Sequence, residues 1–234
     1  MRRKPAEMGC RKAVFYDQKR WDLLKRLRDR AKSLIVSLDD ANIKSIVHGS
    51  VARGDVSPSS DIDIFVPQVT QSFWMELALS PYAILQRKIV QATPRHLPKA
   101  HLLLEENTTV TFPLVTPQRK EIEFYRFGGH LGLEEIDSRS AGFDKRLMLI
   151  EPTSEGHVET PLSELSLGHV TKIIGVCQDT IEERIRVLRR RAISGRTGVY
   201  LEYILDEDQS FEKALEEVAS TDPAIRRRVF SRRS

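Results

Sequence analysis

Two aspartates separated by one residue are the feature that most constrains this chain. Asp61 and Asp63 alternate with apolar residues at the start of the segment DIDIFV, and this period of two predicts a β-strand over 62–66. Both carboxylates then lie on one face of the strand, and the isoleucines lie on the other. Because two negative charges at such a short distance repel each other, a cation between them is favoured. The pattern therefore predicts a cation site on one face of a strand.

A glycine-serine turn stands ten residues before the aspartates. The residues IKSIV, 43–47, predict a short strand that is ended by Gly49 and Ser50. Backbone N–H groups and a serine hydroxyl at such a turn can bind phosphate oxygens, and Arg53 adds a guanidinium to the same turn. Mg²⁺ commonly binds through one or two carboxylates together with substrate phosphates. The turn and the aspartates together predict a site for a phosphate ligand and its metal ion.

The segment HGSVARGDVSPSSDIDIFV, residues 48–66, resembles the signature of the DNA polymerase beta-like nucleotidyltransferase superfamily. That signature is a hydrophobic strand, Gly-Ser, ten residues and Asp-x-Asp, and the ARG and SDIDI elements are most similar to small prokaryotic stand-alone members. The resemblance implies transfer of a nucleoside monophosphate from an NTP, such as ATP, to a hydroxyl acceptor, with release of pyrophosphate. It also implies two Mg²⁺ ions, or Mn²⁺ in their place.

The resemblance assigns roles to individual residues. Asp61 and Asp63 are expected to be catalytic and to bind both metal ions, and Gly49, Ser50 and Arg53 are expected to bind the nucleotide. One ion would neutralise the triphosphate, and the other would lower the pKa of the acceptor hydroxyl.

A third metal-binding carboxylate is expected from a later strand. The segment KEIEFYRFGG, residues 120–129, predicts a strand over 121–127 in which Glu121 and Glu123 alternate with apolar residues. Glu123 is the preferred third catalytic and metal-binding residue, because its apolar neighbours place it inside the strand. Glu121 stays open as the alternative.

The remaining pattern predicts an α/β (α+β) fold with a mixed sheet flanked by helices. We expect a nucleotidyltransferase domain over 1–155, with a helix over 16–38, a helix over 72–91 interrupted at Pro81, and strands over 102–105, 109–114 and 147–150. A linker is predicted over 152–164, since it is rich in Pro, Ser, Thr and Gly. A small helical C-terminal domain is predicted over 156–234.

The C-terminal part contains a second, weaker resemblance. Residues 169–191 resemble a helix-turn-helix with Gly175 at the turn, and residues 195–205 would form the hairpin of a winged variant. The chain has a net charge of +8 over 1–33, −6 over 34–165 and +2 over 166–234, and five arginines lie at 226–228 and 232–233. Arginines at 184, 186 and 189–191 lie on the second helix. These cations predict RNA or DNA as a partner in addition to the NTP.

Composition excludes several other classes. No apolar run approaches the roughly 18 residues of a membrane span, and no apolar segment follows the basic N-terminus, so we expect a cytoplasmic protein without a membrane partner. Cys10 and Cys177 lack the spacing of a thiolate metal site and are expected to be free thiols.

Two alternative functions remain open at this point. One is a nucleic-acid-binding regulator whose nucleotidyltransferase domain senses a nucleotide or is inactive. The other is a toxin–antitoxin component that transfers AMP to a protein.

Overall fold

The chain forms two β-sheets with helices packed against them. The computed structural model describes residues 10–195 and 198–230. The strands are β1 (Lys12–Phe15), β2 (Ile46–His48), β3 (Ile62–Phe65), β4 (Ile84–Gln91), β5 (Lys99–Leu104), β6 (Thr108–Pro113), β7 (His130–Leu131), β8 (Gly142–Phe143), β9 (Met148–Thr153), β10 (Gly156–Pro161) and β11 (Leu201–Ile204). The helices are α1 (Gln18–Asp40), α2 (Ser50–Arg53), α3 (Ser72–Ala78), α4 (Arg119–Phe127), α5 (Leu167–Ile174), α6 (Gln178–Ser194), α7 (Phe211–Thr221) and α8 (Pro223–Phe230).

The larger sheet carries the candidate site on one of its two faces. Its strand order is β11-β4-β5-β6-β3-β2-β7, and β3 and β6 are parallel whereas the other neighbours are antiparallel. Ile62 and Ile64 of β3 and Val110 of β6 are fully buried in a core that they share with α1, α3 and α7. Because strand side chains alternate, Asp63 lies on the opposite face. This mixed sheet flanked by helices confirms the predicted fold class.

Helix α1 follows the predicted apolar spacing. Its buried positions recur at intervals of three and four residues, and they are Leu24, Arg28, Ala31, Leu34, Ile35 and Leu38. The carboxylate of Asp17 caps the helix by accepting a hydrogen bond from the Arg20 backbone N–H. Among the residues that the structure describes, no helix combines the length and apolar character of a membrane span.

The sequence predictions for residues 72–91 and 152–164 are wrong. The helix expected over 72–91 ends at Ala78, and β4 follows Pro81, because the sheet between β11 and β5 requires an extended strand there. The linker expected over 152–164 is instead the β9–β10 hairpin of the smaller sheet, whose order is β1-β10-β9-β8. The predicted domain boundary after residue 155 therefore falls inside a hairpin.

The C-terminal segment is divided between both sheets. Helices α5 and α6 flank Gly175, which is left-handed with a φ of 63°, and they pack in a second hydrophobic cluster with α4 and the smaller sheet. The predicted wing is wrong, because β11 pairs with β4 of the larger sheet. Arg226 to Arg228 lie in α8, whereas residues 196–197, Arg232 and Arg233 lie outside the described residues.

Arg28 joins α1 to the loops beside the candidate site. Its side chain is 9% exposed, and its guanidinium donates hydrogen bonds to four carbonyl oxygens, those of Val51, Ala52, Ile136 and Ser138. Burial, together with nearby Arg139, lowers the pKa of Arg28 to about 10, so that it stays charged at neutral pH. A planar guanidinium spreads five N–H donors over three nitrogens, whereas a lysine ammonium has three donors on a single nitrogen and cannot reach all four carbonyls.

We expect Arg28→Lys to lower the free energy of unfolding by about 2 kcal/mol, because buried carbonyls lose charge-assisted hydrogen bonds. Urea denaturation of both proteins measures this difference. The matched control is Arg26→Lys on the exposed side of the same helix, for which a change within about 0.5 kcal/mol is expected. Equal effects from the two substitutions would contradict the assigned role.

Candidate active site

Sheet pairing brings the glycine-serine turn next to the two aspartates. β2 is antiparallel to β3, with His48 opposite Asp63. Gly49 and Ser50 follow His48 directly, so the turn lies at the end of β3 where Asp61 stands. The Ser50 hydroxyl also donates a hydrogen bond to the Ser60 hydroxyl at 3.2 Å. The structure therefore brings together four of the residues singled out from the sequence.

Gly49 shapes the surface of this turn. Its φ of 78° and ψ of −144° are a conformation that L-residues rarely adopt, and a Cβ at this position would have no atom within 4 Å. Its N–H already donates to the Gly129 carbonyl at 3.0 Å. Gly49 thus contributes an open surface beside the aspartates, and its own N–H is used within the protein.

Asp63 lies in an unusual electrostatic environment. Asp61 is exposed, whereas Asp63 is half-buried. Burial and the neighbouring Asp61 carboxylate raise the pKa of Asp63 to about 6, although Lys145 and Lys99 act in the opposite direction. The pair therefore carries two carboxylates that repel each other, which is the arrangement that a bound cation relieves.

Arg53 is a brace of the turn. It is 6% exposed, and its guanidinium donates to both carboxylate oxygens of Asp55, at 2.9 and 3.1 Å, and to the carbonyls of Gly128 and Phe143. All three guanidinium nitrogens thus have partners inside the protein. The structure does not direct Arg53 toward a nucleotide, in contrast to the role expected from the sequence.

The strand predicted over 121–127 is wrong, because these residues form α4. Glu123 is 3% exposed, and its carboxylate faces the start of α6. It accepts hydrogen bonds from the Cys177 N–H and thiol at 3.2 and 2.9 Å, from the Thr180 hydroxyl at 2.6 Å and from Arg119 at 2.6 Å. Glu123 therefore does not join Asp61 and Asp63, and its expected role as third metal ligand is corrected.

Glu121 is also engaged away from the aspartates. Its carboxylate accepts from the backbone N–H groups of Leu97 and Gln118 at 2.8 and 2.7 Å and forms an ion pair with Arg228 at 2.5 Å. These bonds cap the first turn of α4 and attach it to α8. Over residues 10–195 and 198–230, no group of three His, Cys, Asp or Glu side chains is arranged to hold a metal ion.

Sequence reasoning missed the residues that surround Asp63. The Tyr125 ring of α4 stacks on Phe65, with 3.5 Å between ring centroids, and its edge contacts His48. Its hydroxyl accepts a hydrogen bond from the Lys99 ammonium at 3.1 Å. The sequence does contain a signal that would place Lys99. In KAHLLL, 99–104, buried positions alternate from Ala100 onward, so Lys99 lies on the face opposite the core.

β2, the glycine-serine turn, α2 and β3 with the aspartate pair form the strand–turn–helix–strand framework on which the sequence resemblance rests. Residues 24–90, under a third of the chain, match the family model of the nucleotidyltransferase domain. This span contains the turn and both aspartates. Residues 24–90 are therefore similar to the nucleotidyltransferase domain, a domain of enzymes that transfer nucleotidyl groups. No curated protein and no solved structure matches the chain.

Glu123 generates a prediction about pH and stability. Burial alone would raise the pKa of Glu123, but the hydrogen bonds from Cys177, Thr180 and Arg119 lower it to about 2. A depressed carboxyl pKa stabilises the fold above the unfolded value of about 4.3. This stabilisation is lost as the pH falls toward 2. We expect Glu123→Gln to lower the free energy of unfolding by about 2 kcal/mol at pH 7.

The difference between wild type and Glu123→Gln should narrow steadily as the pH falls from about 5 toward 2. Denaturant melts across this pH range measure it. Glu216→Gln, at an exposed position of α7, is the control and should change the stability little at any pH. A Glu123→Gln effect that is independent of pH would show that the charge of Glu123 is not what stabilises the fold.

Proposed function

We propose that this protein transfers a nucleoside monophosphate from an NTP to a hydroxyl acceptor and releases pyrophosphate, in a reaction that depends on Mg²⁺. The observation that carries the proposal is the position of Gly49 and Ser50 beside Asp61 and Asp63 within a nucleotidyltransferase domain. A phosphate-binding turn next to paired carboxylates suits a metal-bound triphosphate.

The donor set fits one Mg²⁺ ion, or Mn²⁺ in its place. Asp61 and Asp63 are hard oxygen ligands on one face, and burial together with the Asp61 charge raises the pKa of Asp63. Asp61 and Asp63 would hold such an ion, which would neutralise triphosphate charge and polarise the α-phosphate at which nucleotidyl transfer occurs. The second ion of the expected two-metal arrangement depended on Glu123 or Glu121, and both carboxylates are engaged elsewhere.

The residues of the turn hold the triphosphate in this proposal. The Ser50 hydroxyl binds a phosphate oxygen in exchange for its contact with Ser60. Gly49 leaves space for the β- and γ-phosphates, since no atom lies within 4 Å of the position of a Cβ there. Arg53 acts indirectly: by binding Asp55 and the Gly128 carbonyl it fixes the backbone that follows the turn.

Lys99 and Lys145 supply positive charge next to the aspartates. Both lower the pKa of Asp63, so both lie within electrostatic range of its carboxylate. Lys99 is held in place by its hydrogen bond to the Tyr125 hydroxyl. In our proposal these ammonium groups bind the non-bridging oxygens of the nucleotide and stabilise the charge that develops on them.

Loss of one carboxylate should greatly slow the reaction. We expect Asp63→Asn to reduce nucleotidyl transfer by about a hundredfold or more, the equivalent of several kcal/mol of transition-state stabilisation. The assay uses each of the four labelled NTPs with Mg²⁺ and follows pyrophosphate release and label transfer. The acceptors are a short RNA, a hydroxyl-bearing small molecule and the protein itself.

The control for this assay is Asp40→Asn, which removes an exposed carboxylate at the end of α1 and should retain wild-type activity. Equal activity of wild type and Asp63→Asn with every acceptor, or no nucleotide binding by the wild type, would overturn the proposed function. A product with label on the protein itself would favour AMP transfer to protein over transfer to RNA.

A nucleic-acid acceptor is supported by one surface. The exposed side of α6 carries Arg186, Arg189 and Arg190 in less than two helical turns. Arg184, by contrast, packs over the Phe124 ring with 4.5 Å between its guanidinium carbon and the ring centroid. We propose that the three exposed arginines contact the phosphates of an RNA or DNA acceptor.

Binding of a short labelled RNA should weaken as salt rises, with a slope of about 0.7 for each phosphate neutralised. We expect Arg186→Gln/Arg190→Gln to reduce the affinity and to reduce this slope by about one to two. A fluorescence anisotropy titration at several salt concentrations measures both quantities. The control, Lys19→Gln/Arg26→Gln, removes two positive charges from α1 instead. An equal reduction of RNA affinity in this control would show that binding depends on net charge and not on the arginines of α6.

A further inference from the structure

The strand next to Asp63 places a threonine, and not a third carboxylate, directly opposite it. β3 and β6 are parallel, and Thr109 is the residue directly opposite Asp63. Val110 and Phe112 of β6 are fully buried in the core, so Thr109 lies on the other face, together with Asp63. We infer that this site binds a single divalent ion, the one that accompanies the triphosphate, and that Thr109 leaves a second ion without a ligand. The inference rests on the proposed function.

Other side chains around the pair do not replace the missing carboxylate. On the other side of β3, His48 stands opposite Asp63, and its ring packs against Tyr125 with 4.8 Å between centroids. Further along β6, the Thr111 hydroxyl contacts Nδ1 of His101 at 3.3 Å. The residues beside the carboxylates along β2 and β6 are therefore histidine and threonine, and not further carboxylates.

The acidic residues of α4 and of the β5–β6 hairpin do not replace the missing carboxylate either. Glu121 and Glu123 are fixed by hydrogen bonds within α4 and to α6 and α8. Glu105 belongs to the β5–β6 hairpin, which approaches β3 through a hydrogen bond from the Ile62 N–H to the Asn107 carbonyl at 3.1 Å. Glu105 is exposed, and no group of three metal-ligating side chains includes it within the part of the chain that the structure describes.

Charge explains why a threonine matters at this position. Two divalent ions in such sites lie about 3.5–4 Å apart, and their repulsion is four times that of two unit charges at the same distance. The second ion is therefore stable only with an anionic ligand of its own. A threonine hydroxyl brings no negative charge, so Asp61, Asp63 and the triphosphate hold one ion. Activation of the acceptor hydroxyl then does not involve a second metal ion in this protein.

Manganese binding tests this inference directly. Mn²⁺ is titrated into the full chain in the presence of a non-hydrolysable NTP analogue, and electron paramagnetic resonance reports both the free Mn²⁺ and any spin-coupled pair. We expect one ion for each protein–analogue complex of the wild type and no coupled spectrum. Thr109→Asp should bind a second ion and show the spectrum of a coupled pair. Thr109→Asn introduces a side chain with the shape of aspartate but without its charge, and this variant should bind one ion.

Each outcome separates the inference from the proposed function. A coupled pair in the wild type overturns the inference alone, and its loss in Glu105→Gln would identify the ligand that holds the second ion. If thermal denaturation shows that the Thr109→Asp protein is folded, and this protein still binds only one ion, the assigned role of Thr109 is also contradicted. If the analogue fails to bind to the wild type at any Mn²⁺ concentration, the proposed function itself fails, and the inference fails with it.

Discussion

The antiparallel pairing of β2 with β3 is the constraint on which the site depends. Ile62 and Ile64 are fully buried, so the side chains between and before them must lie on the other face of the sheet. The register that places His48 opposite Asp63 also places the Gly49 turn beside Asp61. A shift of one residue would bury two carboxylates in the core and expose the isoleucines. The hydrophobic effect in the core thus fixes the geometry of a polar site that makes few bonds of its own.

Helix α4 attaches this site to the rest of the chain. One side of it places Tyr125 against Phe65, His48 and Lys99, whereas its glutamates bind α6 and α8. Because Glu123 is buried, removal of α6 would leave a carboxylate without three of its donors. The C-terminal segment therefore contributes to the position of Tyr125, although it lies outside the matched family span.

The sequence was sufficient for the parts of the structure that local pattern determines. The apolar spacing of α1, the strand at 62–66 and the glycine-serine turn are each encoded within a few residues, and the confirmed fold class follows from them. Helix α4 was missed because KEIEFYRF has a period of two that typifies strands. In the structure Glu121 caps the helix through the Gln118 N–H and attaches it to the Leu97 N–H. The β9–β10 hairpin was missed because its turn residues resemble those of a linker. Thr109 could not be recognised, since only the parallel register shows that it faces Asp63.

The charges near Asp63 also show that the net charge of a chain segment is a poor guide to the local electrostatic field. The acidic middle of the chain contains Lys99 and Lys145, and it is these two lysines that lie in range of Asp63. Two carboxylates and two ammonium groups leave the site close to neutral. A metal ion by itself meets the repulsion of the lysines, and a free triphosphate meets the repulsion of the aspartates. A metal–triphosphate complex satisfies both sets of charges at once, because its cation faces the carboxylates while its phosphate oxygens face the ammonium groups. The field therefore favours a ligand in which the ion and the nucleotide enter together.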